Sequence, residues 1–190
     1  MKHSNMLSLV IDMRNSSLLI KHDNALTDAE KTILDLNKMI LQYAGNPIYS
    51  QSTGDGYILI YDAKSFMSSY QNINELIIKL KVFFEDLNSK HGVKDYGYGF
   101  GAHISSLSVI EANLNNQLIR LMIGQCVNTS TKYAYYHNRS TLSHKEFNFN
   151  GVLTTLSVNT FLKENGFVTG DVCKPASGLN AIRLEKFERR

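Results

Sequence analysis

The sequence predicts an α+β fold, a ferredoxin-like antiparallel sheet with covering helices, on three observations. An apolar strand-like run comes first, from residues 6 to 13. Two long stretches with apolar residues at helical spacing follow. Between those helices lies a glycine-rich hairpin turn, Gly54-Asp55-Gly56, flanked by two short apolar runs. The order strand, helix, hairpin, helix, strand is the ferredoxin-like order. A sheet covered by helices on one face satisfies it.

Each element has a local cause. Leu7, Leu9, Val10 and Ile11 make residues 6–13 a buried strand. Thr27-Asp28-Ala29-Glu30 has the form of a capping box. It opens a helix whose stripe is Ala29, Ile33, Leu36, Ile40 and Ala44, ended by Gly45-Asn46-Pro47. Residues 48–52 and 57–61 form the hairpin strands. Leu76, Leu80, Phe83, Phe84 and Leu87 mark a second helix over about 73–90, closed by Gly92. Residues 96–104 alternate with glycine and read as a strand. Shorter apolar runs at 107–112 and 118–123 predict two more strands, and 124–137 predicts a helix. The remainder has no clear period.

The 190 residues suit one domain, 1–190, without an internal repeat or linker. A net charge of +3 is too small to argue for nucleic acid or a membrane surface as partner. No apolar run approaches the ~18 residues that span a bilayer. The apolar start already carries Asp12, which excludes a signal peptide. Cys126 and Cys173 are far apart and give neither a disulfide framework nor a metal spacing, so the cytoplasm is the expected compartment.

Chemistry is carried by three segments. Asp12 ends the first strand, and Asp55 sits in the hairpin turn. If those strands pair, both carboxylates meet at one edge of the sheet. Two carboxylates with few other ligands suit Mg2+ or Mn2+ when substrate phosphates complete the shell. The turn Met13-Arg14-Asn15-Ser16-Ser17 offers backbone N–H groups and hydroxyls to phosphate oxygens. Asn128 and Lys132, four apart on a predicted helix, share a face. Taken singly, each has an ordinary explanation: a strand-end aspartate, an Asp-Gly turn, a solvated helix face. His103 reads as a core histidine and Cys126 as a small buried residue.

Taken together, Ile11-Asp12-Met13-Arg14, Gly54-Asp55-Gly56, Phe100-Gly101-Ala102-His103 and Ile123-Gly124-Gln125-Cys126-Val127-Asn128 resemble the catalytic domain of class III nucleotidyl cyclases. That family comprises the adenylate and guanylate cyclases. The resemblance covers residues 6 to about 137, about two-thirds of the chain. It implies that Asp12 and Asp55, with the Met13 carbonyl, hold two divalent metal ions, Mg2+ or Mn2+. It implies that the backbone of Met13, Arg14, Asn15, Ser16 and Ser17 receives phosphates, with Ser17 where the family usually has threonine. Asn128 would orient the ribose. Lys132 stands where the family has an arginine, which keeps the charge but loses the planar fork. Arg120 or Arg139 is then a candidate for the missing guanidinium.

The family's site lies between two subunits, so the resemblance implies a homodimer with shared active sites. Base-reading positions depart from both purine patterns. Gln51 replaces lysine or glutamate, and Leu121 replaces aspartate, threonine or cysteine. Gln51 both donates and accepts, and Tyr49 lies on the same strand face. A pocket of that kind suits a pyrimidine. Stand-alone cyclases with an Asp-Met-Arg start resemble the uridylate cyclases of bacterial anti-phage Pycsar systems. UTP is then the expected substrate, cyclic UMP the product, and a cyclic-nucleotide-sensing effector the downstream partner. Competing readings are a purine cyclase and a catalytically inactive, nucleotide-binding domain, the latter favoured by Lys132. A diguanylate-cyclase relative is disfavoured because the hairpin lacks Gly-Gly-Asp-Glu-Phe.

Overall fold

A computed structural model describes residues 2–19, 26–94, 96–114, 117–138, 151–176 and 179–190. Strand β1 (Lys2–Arg14) leads through a 3-10 turn (Ser16–Leu18) towards helix α1 (Leu26–Tyr43). The hairpin β2 (Tyr49–Ser52) and β3 (Gly56–Tyr61) follows, then α2 (Ala63–His91) and β4 (Gly97–Leu114). In the sheet these four strands lie in the order β2-β3-β1-β4, antiparallel throughout, which is the predicted ferredoxin-like core. The additions are β5 (Gln117–Ile123), α3 (Gln125–Asn138), β6 (Val152–Thr154), α4 (Leu156–Glu164), β7 (Asp171–Ala176) and β8 (Leu179–Leu184). They extend the sheet as β6-β8-β7 beyond β4 and pair β5 with the far half of β4. Because β6 runs parallel to β4, the sheet is mixed.

Helices cover both faces, not one. Leu7, Leu9, Ile11 and Met13 of β1 pack in a core with the buried stripes of α1 and α2. The alternate residues Met6 and Val10 pack with Ile58, Ile60, Cys126, Val127 and Ala134, under α3. The uninterrupted apolar run of β1 has this cause: a strand buried on both sides needs apolar residues at every position. Ser8, fully buried on the α3 face, is satisfied by a 2.8 Å hydrogen bond between its Oγ and Ser130 Oγ.

Three boundaries differ from the sequence reading, the first being β1, which starts at Lys2, four residues before the expected start. Helix α2 starts at Ala63, ten residues before the predicted start, with the Asp62 carboxylate accepting from the Ser65 N–H at 2.7 Å. The polar Ser69 hid this turn; it is buried against Gly45, and its Oγ accepts from the Asn46 N–H. The two strands predicted within 96–112 are one strand, β4, which runs on through Ser105 and Ser106. The α1 stripe is as expected, with Ala29, Leu36, Ile40 and Ala44 buried and Ile33 packed against them. The capping role expected of Thr27 falls on a side chain outside the described residues.

Gly101 sets how closely α3 approaches the sheet. A Cβ there would lie 2.1 Å from the Ser130 carbonyl oxygen and 2.3 Å from the Ala134 nitrogen, both backbone atoms of α3. Gly101→Val is therefore expected to destabilise the fold by about 1–3 kcal/mol through overpacking. That lowers Tm by about 2–4 °C per kcal/mol in a chain of this size. An unchanged Tm in thermal unfolding would show that α3 does not pack this closely.

Candidate active site

Pairing of β1 with β3 and β4 places Asp12 between two glycines, since its Cα partners are Gly56 on one side and Gly99 on the other. By alternation Asp12 lies on the α3 face, two residues beyond Val10. Neither neighbouring strand presents a side chain beside it at this level. Gly56 has a further reason to be glycine: a Cβ there would lie 2.2 Å from the Ile11 carbonyl oxygen. Only glycine lets β3 close onto β1 at this register.

Asp55 precedes Gly56 in a two-residue turn closed by Thr53 N–H to the Gly56 carbonyl at 3.0 Å, with Gly54 at φ +96°. The Met13 N–H donates to the Asp55 carbonyl at 3.1 Å, and the Ser16 hydroxyl donates to the Asp55 carboxylate. Asp12, Met13, Ser16 and Asp55 thus meet at one corner of the sheet. Asn15, at φ +58°, turns the chain so that Ser16–Leu18 begin a 3-10 turn, held by the Leu18 N–H on the Asn15 carbonyl. The leading N–H groups of such a turn have no acceptor within it and suit an anion. Ser17 is exposed there. Arg14 is directed differently: its guanidinium lies over Gly97, where a Cβ would be 2.2 Å from Nη2, and lines a cavity of about 540 Å³ with Lys81 and Lys94.

This corner offers only oxygen donors, the set that Mg2+ and Mn2+ take. Among the described residues no group of three or more His, Cys, Asp or Glu forms a fuller metal cage. Ions held by two carboxylates would complete their shells from substrate phosphates and water.

Asn128 and Lys132 share the solvent side of α3. Helix α3 buries Cys126, Val127, Ser130, Tyr133 and Ala134 towards the sheet, whereas Asn128, Thr131, Lys132 and Tyr135 are exposed on its outer side. Lys132 Nζ stands 5.9 Å from the Tyr136 ring centroid. Leu121 lies apart from Gln51, on β5, which pairs with β4, whereas Gln51 is on β2 at the sheet's other side. Leu121 pairs with Ile110 on the β4–β5 hairpin, where Ile110, Ile119, Leu121 and Ile123 form an apolar ladder 37–52% exposed. The Arg120 side chain and Arg139 lie outside the described residues.

Gln51 and Tyr49 share the sheet face of Ile58 and Ile60, their Cα partners on β3. Gln51 is exposed; Tyr49 is half-buried, its hydroxyl 3.2 Å from His3 Nε2 and its ring 5.6 Å from the imidazole. His103 Nδ1 lies 2.9 Å from Thr155 Oγ1 and 3.3 Å from Ser157 Oγ, and burial lowers its pKa. It joins β4 to the start of α4. Burial pushes the Cys126 thiol up to about 11, which excludes it as a nucleophile. His3 and Gly99 were not legible as neighbours of the site; neither carries a local motif.

No protein-family model and no curated protein matches the chain. Solved structures match it in fold. The adenylyl cyclase CyaB from P. aeruginosa aligns over 100% of this chain and 97% of its own, at a TM-score of 0.64 and 15% identity. The guanylyl cyclase domain of the RhoGC fusion protein from the aquatic fungus Blastocladiella emersonii aligns over 99% of both chains, with a TM-score of 0.65 and 14% identity. The guanylate cyclase domain of RhGC from Catenaria anguillulae, in complex with GTP, covers 100% of this chain and 99% of its own at 0.63 and 13%. This chain therefore has the α+β fold of adenylyl and guanylyl cyclase domains. Among its described residues no helix is long and apolar enough to cross a membrane.

Proposed function

We propose that the chain is a nucleotidyl cyclase converting a nucleoside triphosphate, UTP foremost, to its 3′,5′-cyclic monophosphate and pyrophosphate. The observation that carries this reading is the meeting of Asp12 and Asp55 across Gly56, beside the Asn15–Ser17 turn, on a cyclase-type fold. In the reaction the ribose 3′-oxygen attacks the α-phosphorus in line, the bond to the β-phosphate bridging oxygen breaks, and pyrophosphate departs. Asp12 and Asp55 would hold divalent metal ions, which would supply Lewis-acid chemistry to the 3′-hydroxyl and to the departing pyrophosphate. The turn from Met13 to Ser17 receives the terminal phosphates. Asn128 holds the ribose, and Lys132 neutralises charge that develops on the reacting phosphoryl oxygens.

Asn128 and Lys132, exposed on the outer side of α3, are free to serve the site of a second copy, as the resemblance implies. Two copies related by a two-fold axis form two equivalent sites, each with carboxylates from one chain and the polar pair from the other. The exposed ladder Ile110, Ile119, Leu121 and Ile123 gives such a partner an apolar surface. Gln51, with Tyr49 steadied by His3, favours uracil or cytosine over a purine. As the resemblance implies, the cyclic product is a messenger for an effector protein in anti-phage defence.

The test is incubation of purified protein with ATP, GTP, CTP and UTP separately, in Mn2+, with products identified by mass spectrometry. Cyclic UMP is the expected product. Cyclic AMP or cyclic GMP would overturn the pyrimidine assignment alone, and absence of every cyclic product would favour the inactive, nucleotide-binding reading.

A further inference from the structure

The turn that carries Asp55 is held from a third side, by α1. Asn37 Nδ2 donates to the Gly54 carbonyl at 2.8 Å and to the Ile33 carbonyl at 2.9 Å, so both of its acceptors are carbonyl oxygens. Its Oδ1 accepts from Ser52 Oγ at 3.1 Å, and Ser52 Oγ in turn accepts from the Gly54 N–H at 3.2 Å. One amide therefore grips both the strand end and the tip of the Gly54-Asp55 turn. Because the bond to Ile33 fixes the same amide to its own helix, the grip is referred to α1, a rigid element.

The other ties on Asp55, from the Met13 N–H and the Ser16 hydroxyl, come from β1 and the turn after it. Without Asn37 the tip of the turn would lose its anchor to α1, and Asp55 would keep only those ties. A two-residue turn with a glycine at positive φ has little stiffness of its own. We infer that Asn37 is a positioning residue, which acts through the Gly54-Asp55 turn to hold the Asp55 carboxylate where a divalent cation shares it with Asp12. This inference rests on the metal site proposed above and adds a residue with no contact to substrate.

The experiment titrates Mn2+ into purified protein with pyrophosphate present, following free Mn2+ by electron paramagnetic resonance. Thermal unfolding is recorded for each variant. Asn37→Ala is expected to weaken Mn2+ binding about five- to tenfold, the value of one to two hydrogen bonds. Asn37→Asp should weaken it at least as much, since a carboxylate oxygen then faces two carbonyl oxygens. If Asn37→Ala does not fold, Ser52→Ala removes the same clasp from the other end and should show a smaller loss. Thr32→Ala removes a bond within α1 alone, from Thr32 Oγ1 to the Asp28 carbonyl, and should leave Mn2+ affinity unchanged. Unaltered Mn2+ affinity in folded Asn37→Ala would overturn the inference while leaving the metal site standing. So would an equal loss in Thr32→Ala, which would mean that any weakening of α1 suffices. Failure of the wild-type protein to bind Mn2+ would instead overturn the metal site itself, and this inference with it.

Discussion

Asp55→Ala is expected to abolish cyclic-nucleotide formation while the protein keeps its fold and the proposed dimer. The carboxylate is half-buried at a turn, and its backbone tie to Met13 survives truncation of the side chain. What is lost is one of the two carboxylates at the sheet corner. The fall in kcat should exceed the roughly 10²–10³ that follows removal of a single transition-state donor. Size-exclusion chromatography with light scattering checks the dimer, and product formation from UTP checks the chemistry. Substantial residual turnover would count against a site built on two carboxylates.

Lys132→Ala should lower kcat by about 10²–10³ with a smaller change in KM, because the charge it meets develops only in the transition state. Wild-type turnover in this variant would remove Lys132 from the mechanism. The two variants also test each other. An Asp55→Ala chain still supplies Asn128 and Lys132, and a Lys132→Ala chain still supplies both carboxylates. In a mixed dimer one site is then intact and the other carries both lesions. With random exchange half of the dimers are mixed, so activity should return to about a quarter of wild type. Failure of the mixture to regain activity, with subunit exchange verified, would mean that each site belongs to a single chain.

Lysine at this position has a physical consequence. A guanidinium can bridge two phosphoryl oxygens with its planar fork, whereas an ammonium meets them as a point charge. Lys132 is exposed in the single chain, beside the Tyr136 ring. In the proposed dimer its approach to a partner's substrate would follow the packing of α3 on the sheet. Gly101 sets how close that packing is, and the Ser8–Ser130 hydrogen bond adds to the apolar contacts of Cys126, Val127 and Ala134 that hold it.

The sequence alone determined the core order of strands and helices, because that order depends on local period and on turns. The run of β1, the stripes of α1 and α2, the Gly54-Asp55-Gly56 hairpin and the Gly92 stop are all written in spacings of two, three or four residues. It also carried the residue types of the site, since carboxylates at strand ends are visible without coordinates. Tertiary structure decided the rest. That α3 covers the second face follows from long-range packing onto Gly101, more than twenty residues before it. The early start of α2 was hidden because Ser69 is polar in sequence but buried and satisfied in the fold. Asn37 joined the site only when α1 was laid beside the hairpin, for no spacing relates residue 37 to residue 54. The outward aspect of Asn128 and Lys132 is of the same kind. Periodicity put both on one side of a helix, but only the packing of that helix on its sheet left that side open to solvent.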